Sequence, residues 1–561
     1  MEKTSLLTDA LRTSLRDQRD SIPPQGFGLS ASVSERALCS GFLRSAQTFP
    51  QRPAVVAEGK VLSYQELREL ACRIAATVQK YPDYSAVPLT AVFAYRSATA
   101  FAGVLGSLLA GNGYVPLNRT FPEGRTQVMF HRSESRSLIV DEKSLPHLHT
   151  LLEGAREPLL LILPNVPDVT EFQSRWPMHS FVGANDLQPS SAWREPVLET
   201  DSLAYLLFTS GSTGTPKGVA VAQRNVLCFI DYMVDRYQVT ESDRLSQMFD
   251  MTFDLSAFDM FVAWERGACV CCPSQKELIK PDGYIKNNKL TIWFSVPSAA
   301  VFMKQLGLLK PNRYPELRLS LFCGEPLPVS SIQAWAEAAP NSILENLYGP
   351  TELTIACSLY RWDPRHSPAE AELGVVPIGY PYPGMHYLVV DEALSEVAPG
   401  AEGELLMNGA QMSLGYWRDA KKTSDAFITP PGRTQTYYRT GDRVRRPRTA
   451  DGPLLHLGRI DSQIKVLGHR VELGEIEAVV RKHCGSDAVV AVGWPRTSSG
   501  YGGVEVFIEG GAESNHLRDL VQAELPDYMV PRKFHFNDKL PRNSNGKLDR
   551  PAISKLLEGA S

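Results

Sequence analysis

The sequence predicts an α/β protein with a large N-terminal lobe of doubly wound sheets and a small β-barrel-like subdomain, followed by a small α+β C-terminal domain. From about residue 62 to 187, and again from 203 to about 359, short apolar runs alternate with segments of helical spacing, which is typical of parallel, doubly wound sheets. Between about 377 and 457, short strands alternate with turns rich in Gly and Pro, as in a small antiparallel sheet or barrel. The remainder after Gly458, about 100 residues, has the size of a separate domain.

Individual elements follow from the local spacing of apolar residues. The spacing predicts an amphipathic helix over Tyr64–Lys80, and the apolar run 88–93 predicts a buried strand. Near the end of the chain we predict a charged helix over Leu473–Cys484 and another helix near residues 515–524. Two strands are expected between these helices, in the segments DAVVAVGW and GVEVFIEG.

Composition and charge exclude several functional classes. Hydrophobic residues make up 43% and charged residues 21% of the 561 positions, which is the balance of a soluble globular protein. The 58 basic and 62 acidic side chains give a net charge of −4, which disfavours nucleic acid as the main partner because phosphate backbones are bound by concentrated positive charge. The longest apolar run, residues 158–164, is far shorter than the roughly 20 residues of a membrane-spanning helix, so no membrane partner is expected.

The N-terminal segment and the nine cysteines indicate a cytoplasmic protein. Residues 1–20 are charged along their length and lack the apolar core of a secretion signal. Only Cys269 and Cys272 have CxxC spacing, and the second pair that a zinc site needs is missing. Residues 268–272 are small or β-branched, which favours a buried strand with unreactive thiols.

The strongest local signal is LLFTSGSTGTPKGV, residues 206–219, in which an apolar strand runs into a loop of glycines and hydroxyls that ends in a lysine. Glycines permit a ligand to approach the backbone amides, while the hydroxyls and the lysine add donors and positive charge, so the loop suits a polyphosphate. A Walker A loop is excluded, because Pro216 and Gly218 stand where that motif needs Gly and then Ser or Thr. The predicted phosphate-binding residues are Thr209, Ser210, Gly211, Ser212, Thr213, Gly214 and Lys217.

With this loop the sequence closely resembles the adenylate-forming superfamily, which comprises acyl-CoA synthetases, firefly-type luciferases and the adenylation domains of nonribosomal peptide synthesis. Asn118 and Cys323 depart from the usual pattern, but neither belongs to the catalytic set. The resemblance covers nearly the whole chain, in order, through LSYQELRELACRIA (from Leu62), LLAGNGYVPLN (Leu108), FDLSAFDMF (Phe253), NLYGPTE (Asn346), GELLMNG (Gly403), YRTGDRV (Tyr438), GRIDSQIKVLGHRVELGEIE (Gly458), LPDYMVP (Leu525) and LPRNSNGKLDR (Leu540).

The resemblance implies a two-step reaction that uses ATP and Mg²⁺. A carboxylate attacks the α-phosphorus of ATP to give an acyl-adenylate and pyrophosphate, and a thiol then takes the acyl group. Because both reactants of the first step are anionic, the site must neutralise charge and align them. The implied catalytic residues are Lys547, which bridges the carboxylate and the α-phosphate, Lys217, Thr351 and Glu352, with Glu352 as the metal ligand.

The resemblance also implies the other contacts with the nucleotide. Tyr348 matches a position that stacks on adenine, and Asp442 matches an aspartate that accepts both ribose hydroxyls, a task that suits an acceptor-only carboxylate. The implied ATP-binding residues beyond the loop are Gly324, Glu325, Tyr348, Gly349, Thr351, Asp442 and Arg459.

The same resemblance implies two domains that move relative to each other. Asp461 matches the hinge, so we expect a large adenylation core of residues 1–460 and a small mobile C-terminal domain of residues 461–561 that carries Lys547. Rotation of the small domain would remove Lys547 and bring part of the segment after Gly458 to the active site for the second step.

The expected acid is a small apolar amino acid. Members of the superfamily that activate amino acids place an aspartate after the aromatic residue of the FDxS segment to hold the ammonium, and Phe253 and Asp254 supply this pair. A fatty or aryl acid would leave that anion buried without a partner, which is costly. The predicted substrate-binding residues are Phe253, Asp254, Leu255, Phe258, Phe294, Leu321, Cys323, Leu347, Ile355, Ala356 and Lys547, which are largely apolar apart from the two charged residues.

Several alternatives stay open at the level of sequence. Similarity to freestanding prolyl-AMP ligases makes proline the first candidate, followed by alanine, including its D form as in D-alanine carrier-protein ligases, and a small branched amino acid. The acceptor is expected to be the phosphopantetheine thiol of a separate carrier protein, because no clear carrier segment follows Lys547. An acyl-CoA synthetase with free coenzyme A as acceptor is the runner-up. A non-catalytic scaffold is disfavoured by the intact set of Lys217, Glu352, Asp442 and Lys547.

Overall fold

The α/β alternation forms a nine-stranded sheet with six parallel strands at its centre and antiparallel strands at both edges. The computed structural model describes residues 36–210, 216–372, 374–461, 463–510, 516–542 and 548–558. The strands of this first sheet are, from edge to edge, Tyr380–Pro381, Ser358–Arg361, Ile343–Tyr348, Leu319–Cys323, Ile292–Ser295, Arg244–Ser246, Cys269–Cys271, Pro53–Ala57 and Lys60–Ser63.

A second sheet of eight strands has the same mixed character. Its strands are Gly415–Tyr416, Lys217–Ala222, Leu203–Thr209, Gly113–Leu117, Leu89–Phe93, Ser137–Val140, Leu160–Leu163 and Ser180–Gly183, of which the first two are antiparallel to their neighbours. Every residue of Leu89–Phe93 is buried, as expected for a parallel strand that is covered by helices on both faces. The predicted α/β fold class is confirmed.

Helices pack on these sheets, and Tyr64–Lys80 illustrates why they form. The Ser63 hydroxyl accepts a hydrogen bond from the Glu66 amide at 3.2 Å, while the Glu66 carboxylate accepts one from the Ser63 amide at 2.8 Å, which completes a capping box. The other helices of this lobe are Ser40–Thr48, Ala98–Leu109, Glu123–Ser133, Leu148–Leu152, Thr170–Arg175, Gln223–Tyr237, Leu255–Ala257, Ala263–Glu265, Gln275–Ile279, Pro281–Asn287, Pro297–Gln305, Val329–Ala338, Ser367–Glu370 and Ala420–Ala426.

Shorter turns complete this lobe. A π-helical turn, Phe258–Val262, joins Leu255–Ala257 to Ala263–Glu265. Turns of 3₁₀ helix occupy Pro82–Ser85, Glu142–His147, Ser190–Ala192 and Thr351–Leu353.

The region rich in Gly and Pro forms an antiparallel sheet of five strands, as predicted. These strands are Met385–Val390, Glu402–Gly409, Tyr437–Arg445, Phe427–Ile428 and Leu455–Arg459. Asp442 is paired with Arg459 across two of them, so the ladder itself brings the carboxylate and the guanidinium together.

The C-terminal part has its own sheets and its own buried core. One sheet consists of His469–Glu472, Gln463–Val466, Gly500–Tyr501 and Arg496–Thr497, and another of Val489–Gly493, Val504–Glu509 and Lys533–Asn537. The helices are Leu473–Cys484, Leu517–Gln522 and Arg550–Glu558, with a 3₁₀ turn at Asp527–Met529. A buried cluster that includes Ile476, Val480, Val504 and Val521 lies entirely within this part.

The two predicted strands of the C-terminal part are present, but a third strand, Lys533–Asn537, was not predicted. It is parallel to Val504–Glu509 at the edge of its sheet and is only partly buried. Its sequence, KFHFN, is short and begins two residues after Pro531, so it carries no clear strand signal.

Two further expectations concern cysteines and membranes. Cys269–Cys271 is a buried strand as predicted, and all nine cysteines, which lie within the described residues, are free. Within the described ranges, no group of His, Cys, Asp and Glu side chains is arranged to hold a metal ion by itself. No helix in the described part of the chain is both long enough and apolar enough to span a membrane.

Candidate active site

Two adjoining cavities lie at the carboxyl ends of strands from both large sheets. The Asp254 cavity is bounded by Asp254, Cys323 and Thr209, and the Asp442 cavity is bounded by Asp442 and Tyr348. Thr209, Cys323 and Tyr348 each end a parallel strand, where ligands of open α/β sheets bind. Both cavities share the residues Gly324, Gly349, Pro350, Lys465 and Arg470, so a ligand can extend from one into the other.

The Asp254 carboxylate is a buried anion at the wall of the first cavity. Its residue is only 8% exposed, and Oδ2 accepts a hydrogen bond from the Ile355 amide at 3.2 Å. Burial raises the pKa of Asp254 to about 6, against the opposing effects of the Ile355 amide and the Thr351 hydroxyl. Among the described residues Asp254 has no ion-pair partner, and a cationic ligand group would supply one.

A strained turn aims the Ile355 amide at this carboxylate. Thr354 and Ile355 have φ values of 56° and 72°, which β-branched residues rarely adopt. Gln411 holds the turn in place. Its side-chain amide donates to the backbone carbonyls of Thr354 at 3.1 Å and Ala356 at 2.7 Å, and its backbone carbonyl accepts from the Thr354 hydroxyl at 2.6 Å. The strain is therefore concentrated where the buried carboxylate needs a donor.

The predicted apolar wall separates into two layers. The cavity surface includes Phe253, Leu255, Cys323 and Ile355. The remaining predicted residues do not line the Asp254 cavity: Phe258, Phe294, Leu321 and Ala356 are fully buried, and Leu347 lines the Asp442 cavity instead.

An aromatic cluster supports the second layer of this wall. The ring centroid of Phe294 lies 4.9 Å from those of both Phe258 and Phe249, and both ring pairs are edge-on. Strand register pairs Phe294 with Leu321 and Cys323 with Leu347, so alternation along the strands directs these side chains to one face of the sheet. The wall behind Cys323 is thus well packed and leaves little room for a long ligand side chain.

Glu352 is completely buried beside Lys217, at the end of the predicted phosphate-binding loop, and is surrounded by donors. Its Oε1 accepts from Tyr416 Oη at 2.7 Å and Lys217 Nζ at 3.2 Å, and its Oε2 accepts from Arg470 Nη1 at 3.1 Å. Although burial opposes ionisation, Arg470, Lys217 and the Tyr416 hydroxyl hold the pKa of Glu352 well below its usual range. Glu352 therefore remains an anion next to the position predicted for phosphate.

The predicted phosphate-binding loop joins two antiparallel strands, in contrast to a Walker A loop, which joins a strand to a helix. Thr209 and Lys217 face each other across this hairpin, and Thr209 and Ser210 line the Asp254 cavity. Gly211, Ser212, Thr213 and Gly214 lie outside the described residues. Lys217 also lies 4.7 Å from the centroid of the Tyr416 ring, and its burial, opposed by Glu352, lowers the pKa of its ammonium.

Asp442 is the acceptor at the centre of the second cavity. Its oxygens accept from Tyr348 Oη at 2.5 Å and Arg459 Nη1 at 2.9 Å, and His456 Nε2 lies 3.3 Å away. Burial opposes ionisation, but His456 and Arg459 hold the pKa of Asp442 well below its usual range. Arg459 in turn binds both oxygens of Asp461, at 2.7 and 2.6 Å.

Two other predicted nucleotide residues also have a structural task. Glu325 lines the Asp442 cavity and accepts a hydrogen bond from the Ser298 amide at 2.8 Å, in the first turn of the helix Pro297–Gln305. Gly349 allows the chain to pass close to Ala356, since a Cβ at Gly349 would lie 2.5 Å from Ala356 Cα.

The C-terminal hairpin, formed by Gln463–Val466 and His469–Glu472, occupies one side of both cavities. Lys465 and Arg470 line both of them, and Gly468, with φ of 86°, approaches Val296 so closely that a Cβ would lie 2.5 Å from Val296 Cγ1. This hairpin belongs to the segment after Gly458, and it lies at the two cavities in this structure. Lys547, the predicted bridging lysine, lies outside the described residues.

An aromatic stack continues from the hairpin to the rest of the C-terminal part. His469 lies parallel to Tyr528 at a ring separation of 3.7 Å and meets Phe253 edge-on at 4.9 Å. Burial and the nearby Lys465 lower the pKa of His469 to about 4, so its ring stays neutral near pH 7. Tyr528 and Arg125 line the cavity, and Arg125 forms a buried ion pair with Glu475.

Sequence reasoning did not single out several of these residues. Lys465, His469 and Arg470 lie within the quoted segment GRIDSQIKVLGHRVELGEIE, and Tyr528 lies within LPDYMVP, so their motifs were found but not their contacts. Tyr416 and Gln411 follow no motif, and only their packing reveals their function.

The chemistry available here is charge neutralisation around buried carboxylates. Donors converge on two buried carboxylates, Glu352 and Asp442, whereas a third carboxylate, Asp254, forms no ion pair among the described residues, although Lys465 lines the same cavity. Lys465 lies between the cavities, where an anion that spans both would pass.

Comparison with known proteins agrees with this geometry. A family model described as AMP-binding enzyme matches residues 42–417, and one described as AMP-binding enzyme C-terminal domain matches residues 475–547. Tyrocidine synthase 1 of Brevibacillus parabrevis is 31% identical over 518 residues, which are 91% of this chain but only 44% of that protein. An L-proline--[L-prolyl-carrier protein] ligase of Pseudomonas fluorescens is 31% identical over 526 residues, 92% of this chain and 98% of that protein.

Two solved structures have a similar architecture. The adenylation domain AlmE of Vibrio cholerae, in complex with glycyl-adenosine-5'-phosphate, is 30% identical with a TM-score of 0.82, and the match covers 96% of this chain and 99% of that one. The structure of IdnL7 is 34% identical with a TM-score of 0.69 and covers 94% and 99% of the two chains.

The buried Arg125–Glu475 pair yields a prediction about how the C-terminal part is held. Arg125→Met should lower the free energy of unfolding by about 3–5 kcal/mol, because it removes the cation from a buried pair. Adding Glu475→Gln should restore much of that loss, and a urea denaturation series measures both variants. Arg433→Met, at the exposed Arg433–Glu396 pair, is the control and should cost about 1 kcal/mol or less. Equal losses for Arg125→Met and Arg433→Met would contradict the prediction.

Proposed function

Because the chain belongs to the AMP-binding enzyme family, whose model matches residues 42–417, we propose that it joins a small apolar amino acid to AMP and then transfers it to a carrier thiol. The chain is an adenylate-forming ligase that activates an amino acid. In the first step the amino-acid carboxylate displaces pyrophosphate from ATP. In the second step the phosphopantetheine thiol of a separate carrier protein takes the aminoacyl group and releases AMP.

The observation that carries this proposal is the buried Asp254 carboxylate at a cavity that opens into the Asp442 cavity. An ammonium group of the substrate is the ligand group that compensates this anion, which an acid without an amine does not provide. The substrate carboxylate then points towards Lys465 and the second cavity, where the nucleotide is expected.

The packed wall supports a small substrate. On the wall formed by Cys323 and the Phe258–Phe294 pair behind it, a charged or amide side chain would meet apolar groups. Proline is our first candidate, in keeping with the prolyl-carrier ligase of Pseudomonas fluorescens. Alanine of either configuration and a small branched amino acid follow, and glycine joins them because AlmE was solved with a glycyl adenylate.

Each polar residue then has a proposed task. Asp442, with Tyr348 and Arg459, holds the ribose, and Thr209, Ser210 and Lys217 hold the phosphates. Glu352 fits a Mg²⁺ ion, since it is a buried, ionised carboxylate beside the phosphate position, and Mg²⁺ is usually held by one or two carboxylates together with substrate phosphates. When bound, the ion would neutralise phosphate charge.

We also propose the domain boundary near residue 460, with Asp461 as the hinge. The antiparallel sheet ends at Arg459, the next sheet begins at Gln463, and Asp461 between them is bound by Arg459. In this arrangement the C-terminal hairpin faces the cavities, as the thiol-transfer step requires. The first step then needs a second arrangement in which Lys547 approaches the nucleotide.

Exchange of labelled pyrophosphate into ATP tests the amino-acid assignment. In a panel of the standard amino acids and D-alanine, the small apolar members should support exchange, proline most strongly, whereas carboxylic acids without an amine should not. Asp254→Asn should lower kcat/KM for the amino acid roughly 30-fold or more, because it removes a buried charge pair, while KM for ATP changes little. Exchange that depends on simple carboxylic acids alone would favour an acyl-CoA synthetase and overturn the proposal.

The pH dependence of the same assay reports on Asp254. Since its raised pKa is about 6, the anion is complete above that value and is lost as the pH falls through it. Between pH 6 and 5, kcat/KM for the amino acid should therefore fall about fivefold, and below pH 5 the slope should approach about tenfold per unit. The Asp254→Asn variant should lack this limb, and an unchanged limb in that variant would assign the titration to another group.

Lys547 should serve the first step only. Lys547→Ala should lower the exchange rate roughly 100-fold or more, because it removes a charge from the transition state of adenylation. Transfer from chemically prepared aminoacyl-AMP to the carrier thiol should stay near the wild-type rate. Lys555→Ala, at an exposed lysine of the final helix, is the control for both steps. Equal loss of both steps in Lys547→Ala would contradict the two-arrangement proposal.

A further inference from the structure

Gln411 lies outside both cavities but contacts the turn that borders the Asp254 cavity. The loop of residues 410–414 joins the five-stranded antiparallel sheet to the edge strand of the second sheet. Gln411 is only 2% exposed and is not among the described residues that line either cavity. Its side-chain amide nitrogen lies 3.3, 3.1 and 2.7 Å from the carbonyl oxygens of Leu353, Thr354 and Ala356. One side chain therefore holds the turn at three points.

A buried asparagine fixes the backbone on both sides of Gln411. Asn225 is fully buried, and its Nδ2 donates to the carbonyls of Ala410 at 2.7 Å and Met412 at 3.0 Å. Its Oδ1 accepts from the Ala222 amide at 3.1 Å, so both ends of the side-chain amide are bound. The loop is thus anchored to the second large sheet, which keeps Gln411 in a fixed position.

The turn that Gln411 holds is strained and needs support from its neighbours. The φ values of Thr354 and Ile355 are 56° and 72°, in the left-handed region that is costly for β-branched residues. Gln411 supplies support through its side-chain amide and through its backbone carbonyl, which accepts from the Thr354 hydroxyl at 2.6 Å. If these contacts were lost, relaxation of the turn would rotate the Ile355 amide away from Asp254, to which it donates at 3.2 Å.

We propose that Gln411 is a positioning residue for amino-acid recognition: by holding the turn, it keeps the Ile355 amide on the Asp254 carboxylate, and this inference rests on the proposed function. Because the amide donates to the charged form of Asp254, it favours the anion that pairs with the substrate ammonium. A fixed donor also orients the carboxylate before the substrate arrives. Gln411 therefore acts on the selectivity for acids that carry an amine, although it does not touch the substrate.

Steady-state exchange of labelled pyrophosphate into ATP by the full-length protein tests this inference. Gln411→Met keeps the length of the side chain but removes its amide, so kcat/KM for the amino acid should fall roughly tenfold, while KM for ATP changes by less than about twofold. Gln127→Met is the matched control, because Gln127 donates to the carbonyls of Thr150 at 2.7 Å and Glu153 at 2.8 Å and is not among the described residues that line either cavity. The control should keep wild-type kinetics.

The pH profile separates the positioning of Asp254 from a general loss of structure. The charged and titratable groups that face Asp254 are Glu352, Lys465, Tyr114 and Tyr205. Gln411→Met leaves all of these in place and weakens only the Ile355 donor, which lowers the pKa of Asp254. The acid limb of kcat/KM for the amino acid should therefore move to higher pH by roughly half a unit or more, since the anion becomes harder to form. A loss of activity without this displacement would make the contacts of Gln411 purely structural and overturn the inference.

Two further variants keep the test decisive. In an Asp254→Asn background, Gln411→Met should cost little more than Asp254→Asn alone, because both changes act on one interaction. Additive losses would contradict the inference. Should Gln411→Met fail to fold, Thr354→Val removes only the hydroxyl bonded to the Gln411 carbonyl and should lower kcat/KM for the amino acid roughly threefold, with the acid limb displaced in the same direction. Unchanged kinetics in Thr354→Val would then refute it.

Failure of this inference and failure of the proposed function give different results. If exchange by the wild type depends on an amino acid and Asp254→Asn impairs it, but Gln411→Met behaves like the wild type, only the inference about Gln411 fails. If no amino acid supports exchange by the wild type, the proposed function fails, and the inference fails with it.

Discussion

The arrangement of the site depends on one buried anion. Glu352 has no contact with solvent, so its charge must be balanced by neighbours, and these come from three separate parts of the chain: Lys217 after the phosphate-binding loop, Tyr416 on the edge strand of the second sheet, and Arg470 on the C-terminal hairpin. Removal of one partner from such a group leaves uncompensated charge in a low-dielectric site, which is costly. This requirement draws the loop, the sheet edge and the C-terminal part to one point.

The Asp254 cavity also contains a buried carboxylate, but there the neighbouring groups balance the negative charge only in part. There the carboxylate forms no ion pair among the described residues, and its donors are the Thr351 hydroxyl and the Ile355 amide, which a strained turn held by Gln411 presents. The raised pKa of Asp254 reflects this incomplete compensation. A site that leaves an anion in this condition is suited to a ligand that brings the missing charge, and the aromatic layer at Phe258 and Phe294 limits the size of that ligand.

Much of the fold was predictable because it follows from local periodicity. The helix Tyr64–Lys80 has its cap and its apolar face in its own sequence, and Leu89–Phe93 is a continuous apolar run. The strand Lys533–Asn537 was missed because an edge strand of five residues beside a proline carries no such pattern. The sequence also did not predict which pocket residues line the cavity and which are fully buried behind them. Alternation along a strand predicts a face of the sheet but not the depth at which a side chain lies.

The sequence by itself determined the chemical inventory of the site: the loop that ends in Lys217, the acceptor Asp442, the anion Asp254 and the acid Glu352 are each marked by their type and by their neighbours in a motif. Tertiary structure alone decided which cation meets which anion. Arg470 lies 118 positions from Glu352, and a segment that carries Lys465, His469 and Arg470 in succession does not indicate which of them reaches the carboxylate. That choice depends on how the hairpin packs against both lobes, because pairing of buried charges is a property of distance and solvent exclusion, and neither is encoded in the order of residues within a motif.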